Sequence, residues 1–191
     1  MEQAKAAGYD LVTLCHQDDL YLPGYGAAVQ AMASPDMLIY FSGYGEKRGE
    51  EVVTSSRLLR IKRLLLWRMR IRPFQRSRLM KHRTLALGDP ICCPSVTFHL
   101  CRLPLPLFHT DMTTSLDWQA WERISRMDGR FVYDPAVRML HRIHTNSTTT
   151  QVLEKGGRQP EDYAMFRKFW CTPIARLLTK WYSASEKSNQ L

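Results

Sequence analysis

The 191-residue chain has no run of about 18 apolar residues, so no helix is expected to span a bilayer. Its five cysteines are few and scattered: Cys15, Cys101 and Cys171 stand alone, Cys92 and Cys93 are adjacent, and none forms a Cys-x-x-Cys pair. That excludes a disulfide scaffold and argues against zinc. Glycine and proline number ten each, which excludes collagen-like and low-complexity chains. No internal repeat is present. Met1–Ala7 carries early acid and base and no apolar stretch, unlike a secretory signal. The expectation from these absences is a soluble chain in a reducing, cytoplasmic setting.

Acid is missing from one place in particular. Arg57–Arg83 holds nine Arg, two Lys and no Asp or Glu, while the rest of the chain has 16 basic and 18 acidic residues. The net charge of +9 therefore comes from a single stripe on a near-neutral body. Hydrophobic residues at 45% and charged residues at 24% are enough to build an ordinary core around it.

Periodicity and breakers divide the chain as follows. Tyr9–His16 is a short apolar run of the kind found in buried parallel strands. Leu20–Gly24 reads as a turn or short extended piece, Ala27–Ser34 as a helix stopped by Pro35, and Met37–Ser42 as a strand. Gly43–Glu50 reads as a polar loop. Val52–Arg72 reads as one helix ended by Pro73, and Gln75–Leu87 as a second, stopped by Gly88. Pro94–Leu100 reads as a strand. Thr114–Met127 reads as a helix opened by a Thr114-x-x-Asp117 capping box, with Trp118, Trp121, Ile124 and Met127 toward a core. Arg130–Leu140 is extended, His141–Thr150 a polar loop, and Asp162–Tyr182 an amphipathic helix broken or kinked at Pro173. Strands alternating with helices give an α/β class.

Four groups of residues carry candidate chemistry. Asp18 and Asp19 follow an apolar strand directly, where α/β sheets bind ligands; two crowded carboxylates suit a hard divalent cation, though Asp-Asp is also ordinary turn chemistry. Asp117 opens a Trp-rich helix between apolar neighbours, which suits a general base and equally a helix-start acid. Arg142 and His144 share one side of an extended loop and suit a diphosphate and its metal, or a plain basic surface. The stripe interleaves Leu58, Leu59, Ile61, Leu64, Leu65, Leu66, Trp67, Met69 and Ile71 with Arg and Lys. It fits an anionic membrane surface, nucleic-acid phosphates, or a core helix whose Arg side chains reach out to water.

In this order the pieces resemble family-two glycosyltransferases of the GT-A fold. The resemblance is carried by VTLCHQDDLYLPGY (Val12–Tyr25), ALGDPICCPSVTFH (Ala86–His99), SLDWQAWERISRMDGRFVYDP (Ser115–Pro135) and HRIHTNSTTT (His141–Thr150), and spans roughly residues 4–150. It implies an incomplete GT-A-like (Rossmann-like) mixed sheet flanked by helices over residues 1–150, followed by a C-terminal amphipathic helical segment over 151–191. It further implies Asp19 as metal ligand of a DxD-like motif, with His16 where the family often has Asp. Asp18 and Arg142 become donor-binding residues, His144 a further metal ligand and Asp117 the catalytic base. The cofactor is a divalent metal, Mg²⁺ or Mn²⁺. The partners are a nucleotide-sugar donor and a glycan or lipid-linked acceptor, and the reaction is metal-dependent sugar transfer with inversion. Nothing in the chain matches the family's N-terminal nucleotide-binding half. The expectation is therefore a carboxyl-terminal portion, inactive without a complementing segment, cytoplasmic and peripheral on the inner membrane face through Arg57–Arg83. Two other classes stay open: a non-catalytic remnant that binds a membrane surface or partner, and, fitting least, a nucleic-acid binder.

Overall fold

Met37-Leu38-Ile39-Tyr40-Phe41 is an apolar run with β-branched and aromatic members, and complete burial of all five side chains makes it the centre of a sheet. A computed structural model describes residues 1–109, 111–143 and 158–187. The fold is mixed α/β. Six strands, β1 (Leu11–Thr13), β2 (Leu20–Tyr21), β3 (Met37–Arg48), β4 (Glu51–Val53), β5 (Val96–His99) and β6 (Arg130–Ile143), form one sheet in the order β1-β5-β3-β6-β2, with β4 also on β3. β3 runs parallel to β6, and every other pairing is antiparallel. β5 and β4 share one edge of β3, at Ile39–Phe41 and Glu46–Arg48, because β6 occupies the whole of the other.

Alternation along β3 and β6 sorts side chains to two faces. Phe41, Phe131 and Tyr133 face the larger core with Phe98, Trp118 and Trp121, while Tyr40 and Val132 face α2 (Tyr25–Met32) through Tyr25 and Val29. The larger face is covered by α6 (Leu116–Ser125), whose Trp121 ring stacks on Phe98 at 5.7 Å. The C-terminal helices α7 (Gln159–Arg167) and α8 (Thr172–Lys187) join the same core: Phe166 meets the Trp118 ring edge-on at 5.1 Å, and Ala175 is fully buried. Pro173 lies in the first turn of α8, where its missing N–H is harmless, so the expected break at Pro173 separates two helices.

Several expectations change. The first strand is three residues long, half-buried and antiparallel to β5 at the sheet edge, where a buried parallel strand was expected. β3 does not stop at Ser42. It continues through Gly43–Arg48, because β6 pairs with it throughout and buries Tyr44 and Glu46. The pairing shifts register at Gly43, opposite Pro135 and Ala136, and a Cβ at Gly43 would come within 2.8 Å of the Pro135 carbonyl oxygen. Val52–Arg72 is not one helix. Ser56 caps α3 (Arg57–Leu65) by accepting from Leu59 N–H at 3.2 Å. A 3-10 segment (Leu66–Arg70), α4 (Arg72–Arg76) and α5 (Arg78–Thr84) follow. Pro73 begins α4 instead of ending α3, and the Gln75 amide donates to the Met69 carbonyl at the break, at 2.8 Å.

Lys81 of α5 is fully buried and donates to the Met127 and Gly129 carbonyls, both at 2.7 Å, just past the end of α6. Burial pulls its pKa down to about 8. Lys81→Met removes both charge-assisted bonds and leaves the carbonyls unpaired, which is expected to cost about 2–4 kcal/mol. A urea midpoint unchanged from wild type would contradict this assignment.

Candidate functional site

The antiparallel register of β2 with β6 sets Leu20 opposite Leu140, and this carries Asp19 beside His141 and Arg142. Asp19 Oδ1 lies 2.8 Å from His141 Nδ1 and accepts the Arg142 backbone N–H at 3.0 Å. The Arg142 contact is thus made by the main chain, and its side chain is exposed. Asp19 Oδ2 has no hydrogen-bond partner although the side chain is 0% exposed, and His16 Nδ1 stands 3.6 Å from it. His16, Asp18 and Asp19 each present a ligand atom, all within 4.8 Å of one another. A buried carboxylate oxygen without a donor is costly unless a cation answers it, and an imidazole with two carboxylates is a donor set that fits Mn²⁺ or Mg²⁺. His144, expected as a further ligand, lies outside the described residues.

Asp117 sits in the first turn of α6, but Thr114 and Asp117 form no capping box. The helix begins at Leu116 after Ser115, whose side chain makes no cap bond. The cap comes from a distant residue: the Glu161 carboxylate of α7 accepts from the backbone N–H groups of Thr113, Thr114 and Ser115 at 2.8, 2.8 and 3.0 Å, and from the Thr114 hydroxyl at 2.7 Å. With capping done by Glu161, Asp117 keeps only a local bond, Oδ1 accepting from Trp118 N–H at 2.8 Å.

Ionisable groups gather around the Asp89–Ser95 segment. Tyr21, adjoining Asp19 through Leu20, donates its hydroxyl to the Pro94 carbonyl at 2.6 Å and so ties β2 to that segment. Burial raises the Cys92 and Cys93 thiols, and both stay protonated. Lys62 of α3 stands 5.4 Å over the Tyr44 ring.

Asp89 is buried, with Oδ1 accepting from Ile91 N–H at 3.0 Å. Burial pushes its carboxyl well above the ordinary range, and the charge of Asp117 adds to the rise despite Lys62 and Arg158. Asp117 is also raised by burial, but the Trp118 N–H, Arg158 and Lys62 all work the other way. The two carboxyls are coupled, and burial makes each hold its proton to higher pH than an exposed acid does. Asp117 is half-buried at the start of α6.

No protein-family model, no curated protein and no solved structure matches the chain. The chemistry of the site therefore rests on its own residues. Of the expected site residues, Asp18, Asp19 and the Arg142 main chain come together, and Asp117 stands at the start of α6. Three residues were not singled out from the sequence: His141, Asp89 and Lys62. Lys62 had a signal, because it occupies an apolar seam with Leu59, Leu66 and Met69 at spacings of three, seven and ten.

An acid whose pKa rises on folding contributes stability that is complete below its ordinary range near 4 and lost as pH climbs toward the raised value. Asp89→Asn keeps the oxygen that accepts from Ile91 and cannot ionise. The expected result in urea unfolding is an advantage over wild type that grows as pH rises above about 4. A constant offset across that range would show that Asp89 is not the buried neutral acid.

Proposed function

We propose that the protein is an inverting, metal-dependent glycosyltransferase similar to the family-two enzymes of GT-A fold, moving a sugar from a nucleoside-diphosphate sugar to an acceptor hydroxyl. The observation that carries this reading is a buried carboxylate oxygen on Asp19 without a hydrogen-bond partner, beside His16 and Asp18. The mixed sheet flanked by helices is compatible with a GT-A-like arrangement, with the acids following β1.

In this reading His16, Asp18 and Asp19 hold a divalent ion, which supplies positive charge against the donor's pyrophosphate. The His141 ring and the Arg142 N–H fix Asp19 Oδ1, which leaves Oδ2 oriented. The Arg142 guanidinium, exposed at the end of β6, pairs with the diphosphate. Asp117 accepts the proton of the acceptor hydroxyl as that oxygen attacks the anomeric carbon. The bond from that carbon to the diphosphate oxygen breaks, the electron pair leaves with the diphosphate, and configuration inverts. The Trp118 N–H, Arg158 and Lys62 favour the ionised form of Asp117.

Titration of the protein with Mn²⁺ alone, followed by calorimetry or the free-ion paramagnetic signal, is expected to show one site that Asp19→Ala abolishes and Asp117→Asn leaves intact. Absence of that site in the wild type would remove the metal from the proposal. Across a panel of nucleotide sugars and acceptors, Asp117→Asn is expected to lower kcat by about 10²–10⁴. The wild-type rate is expected to rise with pH through the raised pKa of Asp117. Transfer that survives Asp117→Asn, or a rate that falls over that interval, would reject it as the base.

A further inference from the structure

Exposed apolar residues are scattered along the chain, but on two helices they fall in rows. At about 3.6 residues per turn, Arg57, Arg60, Ile61 and Leu64 fall on one face of α3, and all four are exposed, Leu64 at 67%. Trp67 continues that exposed apolar row into the 3-10 segment, with the Arg68 guanidinium 4.9 Å over its ring. On α8 the exposed apolar residues are Ile174, Leu177 and Trp181, at spacings of three and seven, with Trp181 72% exposed. The exposed bases Arg176 and Lys180 flank that row, while Ala175 and Thr179 turn inward. Each helix therefore buries one side in the core and presents a second apolar row, edged by bases, to solvent.

The two rows belong to one part of the molecule. Tyr182, next to Trp181, packs on Gly88, where an added Cβ would lie 2.9 Å from its ring. Tyr182 also acts electrostatically on Lys62, which points inward from α3.

We infer that the outer faces of α3 and α8 form a docking surface for an anionic lipid bilayer. Leu, Ile and Trp supply side chains that settle at the level of the headgroups, and Arg and Lys at their edges meet lipid phosphates. Charge selects this occupant over a second copy of the chain. Arg57 and Arg60 have no carboxylate partner among the described residues and lie in a stretch without acid, so two such faces repel each other while an anionic surface attracts them. Among the described residues no helix is long and apolar enough to cross a membrane, so the contact is peripheral.

The test is flotation of the full chain with vesicles of phosphatidylcholine containing about 30% phosphatidylglycerol, against vesicles of phosphatidylcholine alone. Binding to the anionic vesicles, a blue shift of tryptophan emission and weakening by salt are expected. Two variants change only exposed positions: Arg57→Glu with Arg60→Glu, and Leu177→Ser with Trp181→Ser. Each is expected to weaken partitioning at least about tenfold. Equal binding to both vesicle types, no binding, or binding that neither variant weakens would overturn the inference. So would sedimentation showing a wild-type dimer that these variants dissociate. The inference is independent of the transferase reading, since Asp117→Asn is expected to bind vesicles as the wild type does.

Discussion

Parallel pairing of β3 with β6 holds the molecule together, and its register shift shapes it. From Ile39 to Ser42 the two strands pair residue for residue with Phe131–Asp134 and close the aromatic core. At Gly43 the partner strand carries two extra residues, Pro135 and Ala136, and only a residue without a side chain admits their carbonyls so closely. Asp134 braces the bend: Oδ1 accepts the Ala136 N–H at 2.9 Å, and Oδ2 accepts from the Arg138 side chain at 2.8 Å and the Tyr40 hydroxyl at 3.2 Å. Beyond it, Met139–Ile143 turn toward β2, and the curl brings His141 and the Arg142 main chain to Asp19. A straight β6 would leave Asp19 with neither partner.

Burial, more than any single ion pair, governs the ionisable groups around Asp89. Desolvation leads the rise in Asp89, Asp117, Cys92 and Cys93 alike, and Lys62 and Arg158 oppose it in both acids. Arg158 is itself held by Asp162 at 3.2 Å and lies over the Tyr182 ring at 5.6 Å, so its charge does not wander.

Much of this was legible in the residues, and the misses share a cause. The strand at Val96–His99, the Trp-rich helix and the break at Pro173 follow from local pattern, because apolar spacing and breakers decide them. The acids Asp18, Asp19 and Asp117 stood out for the same reason, sitting where local elements begin or end. Gly43–Arg48 did not read as strand, since glycines and charges in that stretch hide a pairing supplied by residues about ninety positions later. Val52–Arg72 read as one helix because nothing within it marks the break after Leu65; Gln75 answers the open Met69 carbonyl from a later helix. Asp89 and His141 gain their surroundings from register and burial, which a single sequence does not display. His144 lies outside the described residues.

Glu161 gives the architecture a long-range dependency. The start of the helix bearing Asp117 is secured by a carboxylate roughly 45 positions away, on α7, which packs against α8. If that hairpin lifts, three backbone N–H groups lose their acceptor together and the first turn of α6 frays. The reactive acid and the outermost helix thus belong to one cooperative unit, and a disturbance at the periphery reaches the centre through hydrogen bonding alone.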